Sequence, residues 1–425
     1  MSRWKWTAAA LAAAAVGAGV VAVSGGGDGD GDGPRQKGAP RPLEAGSRPD
    51  AGRGRREGRR GRRSKREGGG GHGRGIEIAL QDNAVLVSRS YYDRERALAQ
   101  TRALGASWVR MSVLWYRVAG RSAKRRRPPA RPPYDWTAYD SAVSAARAHG
   151  LRVELSLSGP APAWAAGNGR VGNERPDAAR FGEFARAAAA HFRGLVTRYS
   201  IWNEPNYVSW LTPRGEAPRL YRQLYQEGWS AIKAVDPGAQ VLIGETAAFE
   251  QPGRASAPLA FLRGVACPGC AELHADGYAH HPYDFTHAPE YRYPGADNVT
   301  IGTLPRLFGA LNGLARTNRL STSAGGPLPV YLTEFGYFAS GARALPAATR
   351  AAYLRRAFDI AARQRPRVRQ MLQYMLAPPP RGFVGSRFDT SLTSSSGAAG
   401  PVYEALAAWA RSAIRAGRAV APAHP

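Results

Sequence analysis

The chain has 425 residues, 44% of them hydrophobic, which is enough for one large domain with a substantial core and further segments beside it. Its formal net charge of +27 does not by itself mark a nucleic-acid binder, because much of the excess is Arg in low-complexity, Gly- and Pro-rich stretches. The only two cysteines, Cys267 and Cys270, cannot supply a four-thiolate zinc site and read as a small loop disulfide suited to an exported protein.

The first element is a leader. Arg3 and Lys5 precede an apolar, Ala-rich run from Thr7 to Val23, and Ala22, Val23 and Ser24 form a small-residue cleavage site. The run is just short of a comfortable membrane span of about 20 residues, so residues 1–24 are expected to be either a cleaved signal peptide or an uncleaved anchor. Both place the rest of the protein outside the cell, secreted or tethered to the outer face of the membrane. Residues 25–75 are Gly, Asp, Arg and Pro with almost no large apolar side chains, and are expected to form a disordered linker. Its GGGDGDGDG stretch lacks the remaining spacing of a calcium loop, so no metal is expected there. Its RGRREGRRGRRSKREGGGG stretch reads either as a solvated linker or as an adhesive for an anionic wall or membrane surface.

Past residue 75 short apolar runs alternate with helical patterns, as in successive βα units. The expected strands are Ile76–Leu80 or Val85–Val87, then Trp108–Leu114, Arg152–Ser156, Tyr199–Trp202, Gln240–Ile243, Gly277–His280, Val330–Thr333 and Arg369–Met375. Helices are expected over Tyr92–Leu104, Asp135–His149, Asp177–Arg193, Leu220–Val235, Pro305–Arg316, Ala347–Arg363 and Pro401–Ala416. Eight strands in strict alternation, with no Gly-rich phosphate loop after any of them, predict an α/β fold of the (β/α)₈ TIM-barrel type rather than a dinucleotide-binding sheet. The barrel would occupy residues 76–416 and leave 417–425 as a tail.

In such a barrel the carboxyl ends of the strands converge on one mouth. The fourth strand, YSIWNEPN, ends on Trp202, Asn203 and Glu204; the seventh, VYLTEFGY, ends on Glu334. A carboxylate closing an apolar strand is costly unless it is paired or chemically employed, and two of them across a mouth are what glycosidic cleavage requires. Trp115, Tyr116, Trp164 and Trp210 follow strand ends and are candidate sugar platforms, with Trp115 and Trp210 preferred. The loop RSAKRRRPPARPP after the second strand reads as a cationic collar for anionic glycans or as a biased insertion.

The WNEPN and LTEFG strand ends resemble the clan A glycoside hydrolases, which include the cellulase-like family 5 and the xylosidase- and iduronidase-like family 39. The likeness runs from about Ile76 to Trp409. It implies a retaining glycosidase without cofactor or metal, with Glu204 as acid/base, Glu334 as nucleophile and an oligo- or polysaccharide as substrate. It also implies that Arg110 keeps Glu334 ionised, that Asn203 and His281 bind substrate, and that Tyr283 hydrogen-bonds the nucleophile. His280, one residue from His281 on the strand, points the opposite way into core. One departure is plain: where relatives carry a Trp after the eighth strand, this chain has MLQYMLAPPP, with Tyr374 and then Phe388 as the nearest aromatics. A transglycosylase would use the same residues. A non-catalytic, wall-associated glycan-binding barrel is the alternative, and a monomer is expected.

Overall fold

The computed structural model describes residues 75–130, 132–383 and 388–423; the expected leader and nearly all of the expected linker lie outside the described residues. Eight parallel strands close into a barrel: β1 (Glu77–Gln81), β2 (Trp108–Leu114), β3 (Arg152–Ser158), β4 (Arg198–Ile201), β5 (Gln240–Ala247), β6 (Gly277–His281), β7 (Val330–Leu332) and β8 (Val368–Tyr374). Each pairs with its neighbour in sequence, and β8 closes on β1 through the register Glu77–Gln370 to Gln81–Tyr374. Outside them lie α1 (Arg94–Ala103), α2 (Thr137–Ala148), α3 (Ala178–His191), α4 (Ala217–Val235), α5 (Pro258–Val265), α6 (Leu304–Arg316), α7 (Ala347–Arg363) and α8 (Pro401–Arg415).

The sequence reading is correct for the order and type of these elements, with two refinements. Ile76–Leu80 marks the first strand; Val85–Val87 instead belongs to a short helix, Asn83–Leu86, capped by Asp82. The eight-residue α5 is missing from the expected helices: it is too short to build a periodic signal, although Pro258 opens it as Pro does at a first helical turn. Local chemistry sets the other boundaries. Asp93 and Asp177 accept the Arg96 and Arg180 backbone N–H groups at 2.7 and 3.0 Å, starting α1 and α3. Gly150, at φ +69°, turns the chain out of α2 into β3. The disulfide between Cys267 and Cys270 closes a tight loop after α5. After α8 the chain returns to β1, where Ile76 exchanges backbone hydrogen bonds of 2.9 Å with Arg418 and Val420.

The strands are buried on both faces, but the faces differ chemically. Val109, Met111 and Val113 of β2, Val153, Leu155 and Leu157 of β3, and Tyr199 and Ile201 of β4 pack outward into the large core beneath the helices. The intervening Arg110, Glu154, Ser156, Arg198 and Ser200 are also fully or nearly buried, and alternation turns them toward the barrel axis. The two apolar clusters outside that core are small: Ala79, Trp108, Leu372, Tyr374 and Met375 in one, Leu242, Ala279 and Tyr331 in the other. The axis of this barrel is therefore filled with charge as well as hydrocarbon, and that charge builds the site.

Candidate active site

At the carboxyl end of β4 the backbone leaves strand geometry abruptly. Trp202 and Glu204 have φ of +67° and +36°, a left-handed conformation that costs a non-glycine residue of order 1–3 kcal/mol. Neighbouring strands hold it there. The Trp202 N–H donates to Leu157 (2.7 Å), its indole N–H donates to the Trp210 carbonyl (2.7 Å), and the Glu204 N–H donates to the Glu245 carbonyl (2.9 Å). Glu245 on β5 (φ +50°) and Met375 after β8 (φ +65°) are left-handed as well, so this strain gathers at the strand ends.

The side chains meet in one cluster. His281, at the end of β6, has its Nδ1 at 3.1 Å from Glu204 Oε1 and 3.7 Å from Glu334 Oε2. The sum of those distances bounds the separation of the two carboxylate oxygens. Glu334 accepts from two donors, Arg110 Nη1 at 3.0 Å on Oε1 and the Tyr283 hydroxyl at 3.3 Å on Oε2. The side chains of Glu204 and Glu334 keep 14% and 12% of their surface accessible, whereas His281 and Arg110 are fully enclosed. Arg110 reaches this position because it sits midway along β2 facing the axis. There it also contacts Gln81, Ser156 (3.1 Å), Asn203 Oδ1 (3.4 Å), Glu245 (3.0 Å) and Glu154 (3.6 Å).

The electrostatics follow from burial set against neighbours. Burial pushes the Glu334 carboxyl above the ordinary carboxylate range, and Glu204 and Glu245 act in the same sense, while His281 and Arg110 pull it back. Burial alone would raise Glu245, but Arg110 and His281 hold it down to about 2. Burial would strip the proton from His281, yet Glu334, Glu204 and Glu245 raise it to about 10. Arg110 is raised despite its burial by Glu245, Glu334 and Glu154 and stays charged. His280 is the opposite case: burial lowers it to about 3, and the neutral ring contacts Thr246 (2.9 Å) and the Val299 carbonyl (2.9 Å) on the core side.

Among the sequence-predicted residues, Glu204, Glu334, Arg110, Asn203, His281 and Tyr283 come together. Trp115 does not. It has no exposed surface, stacks on Phe184 at 5.5 Å and meets Trp164 and Phe181 edge-on, so it is a core residue and cannot serve as a sugar platform. The reason is local: after β2 the chain enters a helical turn, Trp115–Val118, which directs Trp115 under α3. Trp210 remains half-buried. Trp164 lines a groove with Arg175, Asp177, Gln223 and Glu227, which includes none of the clustered carboxylates. Where the eighth strand ends, Phe388 packs edge-on against Tyr283 (5.6 Å) and Tyr374 (5.5 Å), supplying an aromatic wall next to Glu334.

Sequence reasoning missed Glu245 and Glu154. Glu154 is legible only through the strict alternation of RVELSLS, and burial and Glu245 raise it to about 7 against the pull of Arg198 and Arg110. Glu245 is hidden by a bulge. Strand β5 pairs with β6 through Gly244–Ala279 and then Thr246–His280, so Glu245 is an extra residue turned inward out of phase. Gly244 allows this, because a Cβ there would collide with the Ala279 carbonyl. Among the described residues no group of three or more His, Cys, Asp or Glu side chains is set to hold a metal ion.

Solved structures share this barrel. A family 39 glycoside hydrolase from the gut symbiont Bacteroides cellulosilyticus WH2 aligns with a TM-score of 0.57 at 21% identity, covering 79% of this chain and 63% of that one. A monomeric β-xylosidase from Caulobacter crescentus CB15 gives 0.51 at 19% identity, covering 78% and 66%. An exo-β-1,4-mannosidase, Op5Man5, from Opitutaceae bacterium strain TAV5 gives 0.52 at 18% identity, covering 81% and 60%. The chain spans less than two thirds of the length of each. No protein-family model matches the chain, and no curated protein matches it in sequence. What it has in common with the family 39 glycoside hydrolases is the closed eight-stranded barrel.

Proposed function

We propose that the protein is a retaining glycosidase in which Glu334 attacks the anomeric carbon and Glu204 acts as acid and then base. The observation that carries this reading is the unequal support of two carboxylates held by one imidazolium. Glu334 accepts from Arg110 and Tyr283, with His281 at 3.7 Å, and suits a carboxylate that must stay anionic until it attacks. Glu204 has His281 as its close side-chain donor and keeps an accessible edge. Glu204, with one close side-chain donor and an accessible edge, is the member placed to deliver a proton to a leaving oxygen. The reaction then runs in two halves. Glu334 displaces the protonated leaving group to form a glycosyl ester, and Glu204 deprotonates the water that opens it.

The short reach through His281 favours retention. Contacts of 3.1 and 3.7 Å from one nitrogen hold the two carboxylates close together, in keeping with the short separation of roughly 5–5.5 Å used for direct attack. The substrate is an oligo- or polysaccharide, in keeping with the xylosidase and mannosidase that share the barrel. The leader and basic linker support action outside the cell, and the protein is taken to work as a monomer.

The test is turnover of a panel of aryl β-glycosides and polysaccharides by the protein, beside Glu204→Ala and Glu334→Ala. The reading expects loss of turnover in both, rescue of Glu204→Ala by azide on activated substrates, and a first-formed product of retained configuration by proton NMR. Turnover indifferent to both substitutions overturns it, and product of inverted configuration overturns the double displacement.

A further inference from the structure

Glu245 takes no step in that scheme, yet its atoms touch both halves of the site. Its carbonyl accepts the Glu204 N–H at 2.9 Å and so fixes the strained turn that presents the acid. Its carboxylate Oε2 accepts from His281 Nε2 (2.6 Å) and Thr333 Oγ1 (2.8 Å) and is ion-paired with Arg110 Nη2 (3.0 Å). Thr333 immediately precedes Glu334, Arg110 is bonded to Glu334, and His281 contacts Glu204 and Glu334.

The imidazole ring decides what this arrangement means. One ring nitrogen faces Glu245 at 2.6 Å and the other faces Glu204 at 3.1 Å. Whenever Glu204 is ionised, a neutral imidazole, with one N–H and one lone pair, would set that lone pair against a carboxylate, and only the imidazolium donates from both sides. We propose that Glu245 is a positioning residue that keeps His281 doubly protonated and aimed, so that one Nδ1–H is held between Glu204 and Glu334. The bulge at Glu245 is what makes this possible, because a regular β5 would turn the carboxylate outward, away from the ring.

The groups that face His281 are Arg110 from β2, Glu204 after β4, Glu245 on β5, Tyr283 after β6 and Glu334 after β7, with His280 adjacent in the chain. Of these, Glu245 is the fully buried carboxylate, at 0% exposure, and it makes the shortest contact to the ring. The charge it places on Nε2 is therefore the one least diluted by water. Its part in catalysis rests on the glycosidase reading; the protonation of His281 does not.

The experiment is nitrogen-15 NMR of the histidine side chains of the whole protein, with His281 assigned by its loss in His281→Asn. In the unsubstituted protein His281 is expected to stay protonated from about pH 5 to 9, well above an ordinary histidine. In Glu245→Gln, which keeps the shape and an acceptor but removes the charge, its midpoint should fall by roughly 1–3 pH units. A corresponding new ionisation should then enter the pH profile of kcat/KM. Thr333→Val removes a donor from the same oxygen but leaves the charge, and should leave His281 protonated. An ordinary His281 midpoint in the unsubstituted protein overturns the proposal, and this measurement stands even if Glu245→Gln does not fold. So does an unchanged midpoint in Glu245→Gln, or an equal fall in Thr333→Val. Expected titrations in a protein that turns over no glycoside would sink the glycosidase reading and leave the coupling of Glu245 to His281 standing.

Discussion

Two buried charge clusters lie along the axis of this barrel, and they are built differently. Near the amino ends of the strands, Arg198 is sandwiched between the rings of Trp108 (3.8 Å) and Tyr331 (4.5 Å), bonded to Glu77 (2.8 Å) and Gln240 (3.0 Å), with Glu154 at 3.8 Å. At the carboxyl ends, Glu204 and Glu334 keep part of their surface accessible among His281, Arg110 and Glu245. The floor encloses its cation between two aromatic faces and pairs it with carboxylates. The mouth holds two carboxylates that share one buried imidazole and keep accessible edges. Burial of charge alone therefore does not mark a site; two facing carboxylates that share one buried donor and keep accessible edges do.

That contrast can be broken from either end. The largest expected effect is at the mouth: Glu204→Ala should reduce turnover of an unactivated glycoside by about 10²–10⁴-fold, the usual worth of a positioned acid/base, with little change in the denaturant midpoint. Next comes the floor. Arg198→Met leaves Glu77 and Glu154 without their shared cation and should cost about 3–5 kcal/mol in denaturant unfolding, while kcat per folded molecule stays near that of the parent. A reversal of these two outcomes would mean that the assignment of the clusters is inverted.

Trp115→Ala should behave like the floor despite following a strand end. Loss of its contacts with Phe184, Phe181 and Trp164 predicts about 3–5 kcal/mol of destabilisation with KM unchanged, whereas a raised KM at full stability would restore it as a sugar platform. Tyr283→Phe removes one donor from Glu334 at 3.3 Å and should lower kcat by about tenfold without unfolding the barrel, as expected for a single hydrogen bond to a charged group. The same contrast sets a pH window. Glu245, held down to about 2 in the fold, contributes stability above the ordinary carboxylate range that is lost as pH falls toward 2. His281, raised to about 10, contributes stability below the ordinary histidine value that is lost as pH rises from there toward 10. Thermal unfolding should therefore be highest between about pH 4.5 and 6.5, and Glu245→Gln should flatten both flanks.

Much of this molecule was legible in its sequence. The eight strands and most helices follow from alternation of short apolar runs with amphipathic stretches, because a closed barrel must bury the outer face of every strand against a helix. Glu204 and Glu334 were legible because a carboxylate that ends an apolar strand has few inexpensive places to go. His280 and His281 could be told apart because adjacent strand residues face opposite sides. Those are local rules, and they hold wherever the strand is regular.

The tertiary structure decided what those rules cannot reach. Whether Trp115 faces sugar or core depends on a helical turn after β2 and on the rings of α3, neither of which its own neighbours specify. Whether Glu245 faces the axis depends on one extra residue in β5, which inverts the alternation that Val241 and Ile243 establish. The protonation of His281 depends on three carboxylates delivered by β4, β5 and β7. Sequence fixes what each strand can carry to the mouth; barrel closure fixes which of those groups meet there, because distances between strands are set by the circle and not by the chain.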